Sequence, residues 1–186
     1  MSWIHLSAAQ VAPSPWRNGG GQTRELLAWP HAQDWTLRIS VADITADGPF
    51  SSFPGVDRWF AVLSGDGVDL QGQVLRPGDP VFAFDGERAP GCRLLGGATQ
   101  DFNAMHRRGA GRFELRPATE ALVPRCDWLG LFTEEGGSLN HGGRARALPP
   151  RTLAWCEKPA AQPCRFASTH GRGGPGAAWW LIWSET

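Results

Sequence analysis

The chain has no tyrosine, one lysine (Lys158) and no net charge, its eighteen basic side chains being matched by eighteen acidic ones over 186 residues. A protein that neutralises many phosphates shows a basic surplus or stripe, so this balance argues against nucleic acid as the partner. The adjacent Arg107 and Arg108 read as a solvated strand end. No apolar run approaches the ~18 residues of a membrane span, and no charged segment leads into an apolar one at the N-terminus. The expectation is a cytoplasmic chain with no membrane partner. The four cysteines, Cys92, Cys126, Cys156 and Cys164, include no CxxC pair. They read as reduced, mostly buried thiols rather than a disulfide or zinc framework. The five histidines, His5, His31, His106, His141 and His170, are scattered. There is no HxH, no HExxH and no Cys/His cluster, so no metal or other cofactor is expected. A GxSxG elbow is also missing, and Ser64 sits in the hairpin-like LSGDG.

What the chain does have is punctuation. Its 24 glycines and 15 prolines interrupt short apolar runs throughout. That spacing predicts many short strands joined by turns, in a sandwich or barrel. The clearest strand is WTLRISVA, 35–42, where Trp35, Leu37, Ile39 and Val41 alternate with Thr36, Arg38, Ser40 and Ala42. Period two sends the two sets to opposite faces. Further strands are predicted over 23–27, 59–63, 80–84, 92–95, 101–105, 113–116, 128–132, 151–156 and 178–183. No segment carries a long helical stripe.

An internal repeat is also visible. Trp59, Leu63, Asp66, Gly67 and Leu70 align with Trp128, Phe132, Glu135, Gly136 and Leu139 at an offset of 69; Leu75, Pro77 and Phe82 align with Leu148, Pro150 and Trp155 at an offset of 73. Each copy reads as a strand, an acidic-glycine hairpin, a return strand, a proline turn and an apolar strand. Duplication predicts two similar β-barrels in one chain, here divided as residues 1–109 and 110–186.

Three blocks combine residue types that suit a ligand. In PWRNGGGQTRE (15–25), three successive glycines permit positive φ and close backbone approach. The block lacks the Lys-Ser/Thr of a phosphate-binding loop, so it is either a bulged turn or the floor of a pocket. Thr23 and Glu25 share one strand face. In the second block, Arg38 and Ser40 occupy the polar face of the best strand. A guanidinium inside a barrel needs an anionic partner, which is either Glu25 or a ligand carboxylate. The third block is DFNAMHR (101–107), in which Asp101, Asn103, Met105 and Arg107 share a face. Either that face is a polar exterior, with Phe102 and Ala104 inward, or it lines a site.

Taken together, PWRNGGGQTRELL, WTLRISVADITADGPFSSFPGVDRWFAVLSGDGVDL, FAFDG and DFNAMHRRG resemble the HutD/Ves family. The specific motifs lie within residues 12–109, and the likeness continues more loosely to the C-terminus. The resemblance implies an all-β, double-stranded β-helix fold of bicupin type. It implies a metal-free pocket in the first barrel for a small acidic compound, such as an intermediate of histidine degradation. The second barrel, 110–186, would be a degenerate copy. Motif positions carry over onto Trp16, Asn18, Gly20, Thr23 and Glu25; onto Arg38, Ser40, Phe50, Ser51 and Arg58; and onto Phe84, Asp85, Asp101, Asn103 and Arg107. Of these, Trp16, Asn18, Gly20, Thr23, Glu25, Arg38, Ser40, Phe84, Asp101, Asn103 and Arg107 are assigned to the ligand. His106 is given no role. Ordinary cupins hold metal through histidines that this chain lacks, which argues against a dioxygenase-type reaction.

The leading functional expectation is a metabolite-binding protein acting in the regulation of histidine utilisation, with Arg38 on the ligand carboxylate and Asn18, Thr23 or Asn103 at its polar end. The alternative is a cofactor-independent enzyme acting on the same metabolites, with Glu25 or Asp101 as general base and Arg38 or Arg107 stabilising the anion. A third reading is an interaction module or homodimer, in which Trp179, Trp180 and Trp183 form an exposed patch.

Overall fold

Period-two alternation over residues 35–44 builds a strand at the middle of the larger sheet. The computed structural model describes residues 2–169 and 178–186. In chain order its strands are β1 (Ile4–Ser7), β2 (Ser14–Pro15), β3 (Gly21–Pro30), β4 (Trp35–Ile44), β5 (Gly48–Pro49), β6 (Val56–Ser64), β7 (Val68–Leu70), β8 (Gln73–Leu75), β9 (Phe82–Asp85), β10 (Gly91–Leu94) and β11 (Thr99–Arg107). They continue as β12 (Arg112–Pro117), β13 (Trp128–Thr133), β14 (Gly137–His141), β15 (Arg144–Leu148), β16 (Thr152–Glu157), β17 (Cys164–Ser168) and β18 (Ala178–Ser184). The only helical element among the described residues is the 3-10 turn Ala8–Gln10. None is long and apolar enough to cross a membrane. His170 lies outside the described residues.

The chain divides into two compact units. The first is Val11–Arg108, and the second joins Met1–Gln10 to Gly109–Thr186. The expected division into 1–109 and 110–186 differs from this one, which places the first ten residues and Gly109 with the second unit. The reason is strand pairing: Ile4, His5, Leu6 and Ser7 pair with Trp155, Ala154, Leu153 and Thr152, so β1 forms the edge of a sheet in the second unit.

In the first unit a six-stranded sheet, ordered β2-β3-β4-β11-β6-β9, accompanies a four-stranded one, ordered β5-β10-β7-β8. Ile44, Phe60 and Val62 of the larger sheet pack with Val68, Leu70, Leu75 and Cys92 of the smaller one, and Phe50 joins them. Burying each such side chain contributes about 1.5–3 kcal/mol. In the second unit a five-stranded sheet, β1-β16-β13-β18-β12, accompanies the three-stranded β15-β14-β17. Its core is built from Leu129, Leu131, Leu139, Leu148, Ala154, Cys156, Cys164 and Trp180.

The two strand orders correspond. β9-β6-β11-β4 in one unit matches β16-β13-β18-β12 in the other, and β8-β7-β10 matches β15-β14-β17. The repeat seen in the sequence falls on this correspondence: Leu70 and Leu139 are both buried, as are Leu75 and Leu148. The hairpin hydrogen bonds do not recur: Gly67 N–H donates to Thr99 Oγ1 of β11, whereas Gly136 N–H donates to Thr133 Oγ1 of β13.

One expectation about the surface changes. Trp179, Trp180 and Trp183 are buried, so they belong to the second core and form no exposed patch. Arg107 and Arg108 are exposed at the end of β11, the solvated strand end expected, with Arg107 paired to Asp34 and Arg108 reaching Asp57, Asp85 and Glu87. Cys92, Cys156 and Cys164 are buried free thiols, and Cys126 is a half-buried one.

Candidate functional site

Strand register decides which of the expected residues meet. Asp101 lies opposite Ala42 on one side and Val62 on the other; Asn103 lies between Ser40 and Phe60; Met105 lies between Arg38 and Arg58. One strand further out, Thr23 faces Ala42 and Glu25 faces Ser40. On the far side, Arg58 faces Phe84. Side chains of directly paired residues share a face. Thr23, Glu25, Arg38, Ser40, Asp101, Asn103 and Phe84 therefore come together on one face of the six-stranded sheet, and Arg58 completes the row. Arg38 and Arg58 flank Met105 with their Cα atoms two strand spacings, roughly 10 Å, apart.

This face is buried, not a solvated exterior. Asp101 is 2% exposed, Arg58 4% and Asn103 8%. Its wall is aromatic. Trp16 Nε1 donates to Thr23 Oγ1 at 2.7 Å, and the indole stands edge-on to Phe50, which in turn tilts against Phe60. The Arg58 guanidinium sits over the rings of Phe50, Phe53 and Phe84 at 5.1, 5.6 and 5.0 Å. Such rings attract a cation through their negative faces but leave its in-plane N–H groups unsatisfied.

The polar groups here are short of partners. Arg58 donates from Nη1 to the Ser51 carbonyl at 3.4 Å. Its Nε and the Asn103 side-chain oxygen are buried with no hydrogen-bond partner. Arg58 and Asp101 feel each other's charge but form no direct ion pair among the described residues. Burial pushes the Asp101 carboxyl up to about 8; the Arg58 charge pulls it down, and Asp43 pushes it further up. The same burial brings Arg58 down to about 10, against the upward pull of Asp101 and with the downward push of Arg38. A buried guanidinium with spare donors is a site for a planar anion, since an unpaired buried charge is costly until it is matched.

The remaining assignments separate from this row. Arg38 is already held, its Nε donating to Glu25 Oε2 at 2.6 Å at the more exposed end. The partner of Arg38 is therefore Glu25, and the cation left without an acid is Arg58. Asn18 is used locally, its Oδ1 accepting the Gly20 N–H at 3.0 Å, while the Gly20 carbonyl accepts from Thr45 and Ala46. The GGG block is thus a turn that fixes the start of β3, not a cradle over the polar face. Arg107 shares the parity of Asp101, but it sits exposed at the strand end, bound to Asp34 at 2.5 Å. Arg58 was legible as a motif position but not as a ligand residue, because its link to Asp101 is a pairing between strands distant in sequence.

A second polar cluster lies on the opposite face of the same sheet. Asp43 accepts from Gln22 at 2.8 Å, Arg24 at 2.6 Å and Gln100 at 2.5 Å. Burial would raise this carboxyl, but those three donors hold it below its ordinary value. The Asp43 carboxylate is satisfied by these donors, while the Gln100 side-chain oxygen is buried without a hydrogen-bond partner. Among the described residues no three His, Cys, Asp or Glu side chains gather as a metal ion would require.

The second unit does not repeat the polar row. At the positions corresponding to Asp101 and Asn103 stand Trp180 and Ile182, facing Leu131 and Leu129. Trp180, Leu129 and Leu131 are core, and Ile182 packs against them.

Comparison with known proteins agrees with this architecture. The HutD family model matches residues 8–171. A 21.2 kDa protein in the hutC 3′ region of Pseudomonas putida is 44% identical over 141 residues, covering 71% of this chain and 74% of that protein. Protein Ves of Cronobacter sakazakii is 38% identical over 114 residues, 58% of this chain and 62% of that protein. Among solved structures, a conserved protein of unknown function from Pseudomonas aeruginosa PAO1 superposes with a TM-score of 0.83 at 27% identity, over the whole of both chains. HutD from Pseudomonas fluorescens SBW25 gives 0.78 at 23% identity, again over both whole chains. A cupin 2 conserved barrel domain protein from Leptotrichia buccalis gives 0.56 at 11% identity, over 98% of this chain and 96% of that one. The fold is all-β and cupin-like, and the chain belongs to the HutD family.

Proposed function

We propose that the first unit binds a small acidic metabolite on the face that carries Arg58, Asn103 and Asp101, and that the chain is a bicupin acting in the regulation of histidine utilisation. The observation that carries this reading is Arg58: a buried guanidinium clasped by three phenylalanine rings, with a donor that has no acceptor. A ligand carboxylate supplies that acceptor, and charge-assisted hydrogen bonds of this kind contribute about 1.5–3 kcal/mol each. Asn103 and Ser40 then hold the polar end of the ligand, and Trp16, Phe50 and Phe60 cover its hydrocarbon. A relative named for the hutC region supports a histidine-degradation intermediate as the class. Four free thiols fit a reducing, cytoplasmic setting.

Calorimetric titration with urocanate, formylglutamate, glutamate and formate tests the reading. At least one should bind and, at a hundred times its dissociation constant, stabilise the fold by about 2.7 kcal/mol. Arg58→Gln should abolish the heat, whereas Arg107→Gln should leave it intact. Absence of heat and of any thermal shift with all four acids, or undiminished binding by Arg58→Gln, overturns it.

The alternative, a cofactor-independent enzyme on the same metabolites, is favoured by Asp101 alone. A carboxyl near 8 is poised to give or take a proton at neutral pH, while Glu25 is committed to Arg38. Turnover of any of the four acids that Asp101→Asn abolishes would select this reading over simple binding.

A further inference from the structure

We propose that the second unit carries a ligand site of its own, in the cleft between the β14–β15 hairpin and the N-terminal segment, for a small molecule that bears one anionic head on an apolar, ring-sized body.

The hairpin places the site. Gly142 and Gly143 both have positive φ, 58° and 78°, as the tight two-residue turn that suits strand twist requires. That turn sets the register in which His141 lies opposite Arg144 and Leu139 opposite Arg146, so these four side chains share a face. The cleft they line with Trp3 and Gln162 has a volume of about 740 Å³, within the range of small-molecule sites.

The chemistry of the lining is divided. Trp3 offers apolar surface, and the buried core residue Leu139 lies at the cleft's lining. His141 is spent: the Trp3 indole donates to its Nδ1 at 3.1 Å, and its Nε2 lies 3.2 Å from the Ala160 carbonyl. An indole N–H can only donate, so Nδ1 accepts and Nε2 carries the proton to Ala160. The ring thus adds no charge and no free donor. The charge comes from Arg144 and Arg146. Neither forms an ion pair among the described residues, and Arg146 touches only His5 Nδ1, at 3.4 Å. In the first unit, by contrast, Arg24, Arg38 and Arg93 are each paired to an acid on a neighbouring strand, Asp43, Glu25 and Asp69.

The internal repeat sharpens the point. In the first unit Leu70 lies opposite Gln73, as Leu139 lies opposite Arg146. Gln73 occupies the position of Arg146, and the first unit's shorter hairpin turns at Gln71 and Gly72, before any counterpart of Arg144. The two guanidiniums are therefore particular to this hairpin and are not demanded by its fold. Two unpaired cations beside an indole and a leucine suit an anion on a ring.

The test is heteronuclear NMR titration of the full chain with benzoate, phenyl phosphate, benzamide and inorganic phosphate, read at the Trp3 indole N–H and the Gly142 and Ala160 amides. Trp3→Phe assigns the indole signal. Saturable shifts there with benzoate or phenyl phosphate, about tenfold tighter than with benzamide or inorganic phosphate, are expected. The double variant Arg144→Gln/Arg146→Gln, at one exposed and one half-buried position, should weaken that anion about tenfold without lowering the melting temperature. Arg58→Gln should leave these signals unchanged, so the outcome is independent of the site in the first unit. Equal binding of benzamide, no effect of the double variant, or no saturable shift at Trp3 with either ring-bearing anion overturns the proposal.

Discussion

At the scale of single residues, Asp101 and Arg58 set the behaviour of the first unit. A carboxyl raised to about 8 in the folded state, against an unfolded value near 3.9, is protonated in the native chain where the unfolded chain has already released its proton. The native state then binds more protons, so stability must fall as pH rises from about 4 to about 8 and level off above that. The loss is on the order of a few kcal/mol. Urea denaturation at pH 5 and pH 8 should show this slope in the natural chain and a shallower one in Asp101→Asn, which keeps the shape and removes this titration while leaving that of Glu134, raised by burial to about 7. An equal slope in both would mean that the carboxyl is ionised in the fold. Arg58 acts on the same group. Its charge lowers the Asp101 value, so Arg58→Met should raise the Asp101 midpoint further, as followed by carbon NMR of the side-chain carboxyl; a downward move would contradict the assignment. The parity of Asp101, Asn103, Arg38 and Ser40 was readable from alternation alone. Their adjacency was not, because β11 inserts between β4 and β6, strands that precede it by tens of residues. Arg107 shows the limit of parity: it keeps the right face and lies past the end of the covered region.

At the scale of elements, the glycine block before β3 is where local sequence and structure diverge most. Three glycines looked alike on the page, but their surroundings differ. A methyl group on Gly21 would meet the Asp43 carbonyl at 2.3 Å and the Trp16 ring at 3.0 Å, whereas one on Gly19 would meet nothing. Gly19 has φ of +72°, which an L-residue adopts at a cost of about 1–2 kcal/mol. Gly21→Ala should therefore lower the melting temperature more than Gly19→Ala, and it should also release the Trp16–Thr23 hydrogen bond, visible as a shift of the indole N–H resonance. Equal losses from the two variants would place the constraint in the turn and not in the packing of Trp16. The bulge in β3 had no signal in the sequence either. Leu26 is the extra residue between Glu25 and Leu27, and it lets Glu25 stay on the polar face while Leu26 is buried.

At the scale of the whole molecule, duplication was legible because the hairpin glycines and the leucines at 70 and 75 recur at 139 and 148 once the second hairpin is allowed four more residues. What the spacing could not reveal was that the second copy recruits a strand from the far end of the chain. Removal of residues 1–10 should uncover the edge of β16 and lower the melting temperature of the second unit, leaving Arg58-dependent ligand binding in place; calorimetric scanning separates the two, and an unchanged melting profile would show that β1 contributes no stability. The pairing of Ile4 with Trp155 also has a consequence in time. Synthesis delivers β1 long before its partner, so during translation residues 11–108 have every strand of their unit in hand while β1 still waits for residues 152–157. Closing a loop of about 150 residues adds little to its thermodynamic cost but sets contacts of high sequence separation, which form slowly. The nascent second unit is therefore the part of this protein that most needs shelter from its neighbours before release.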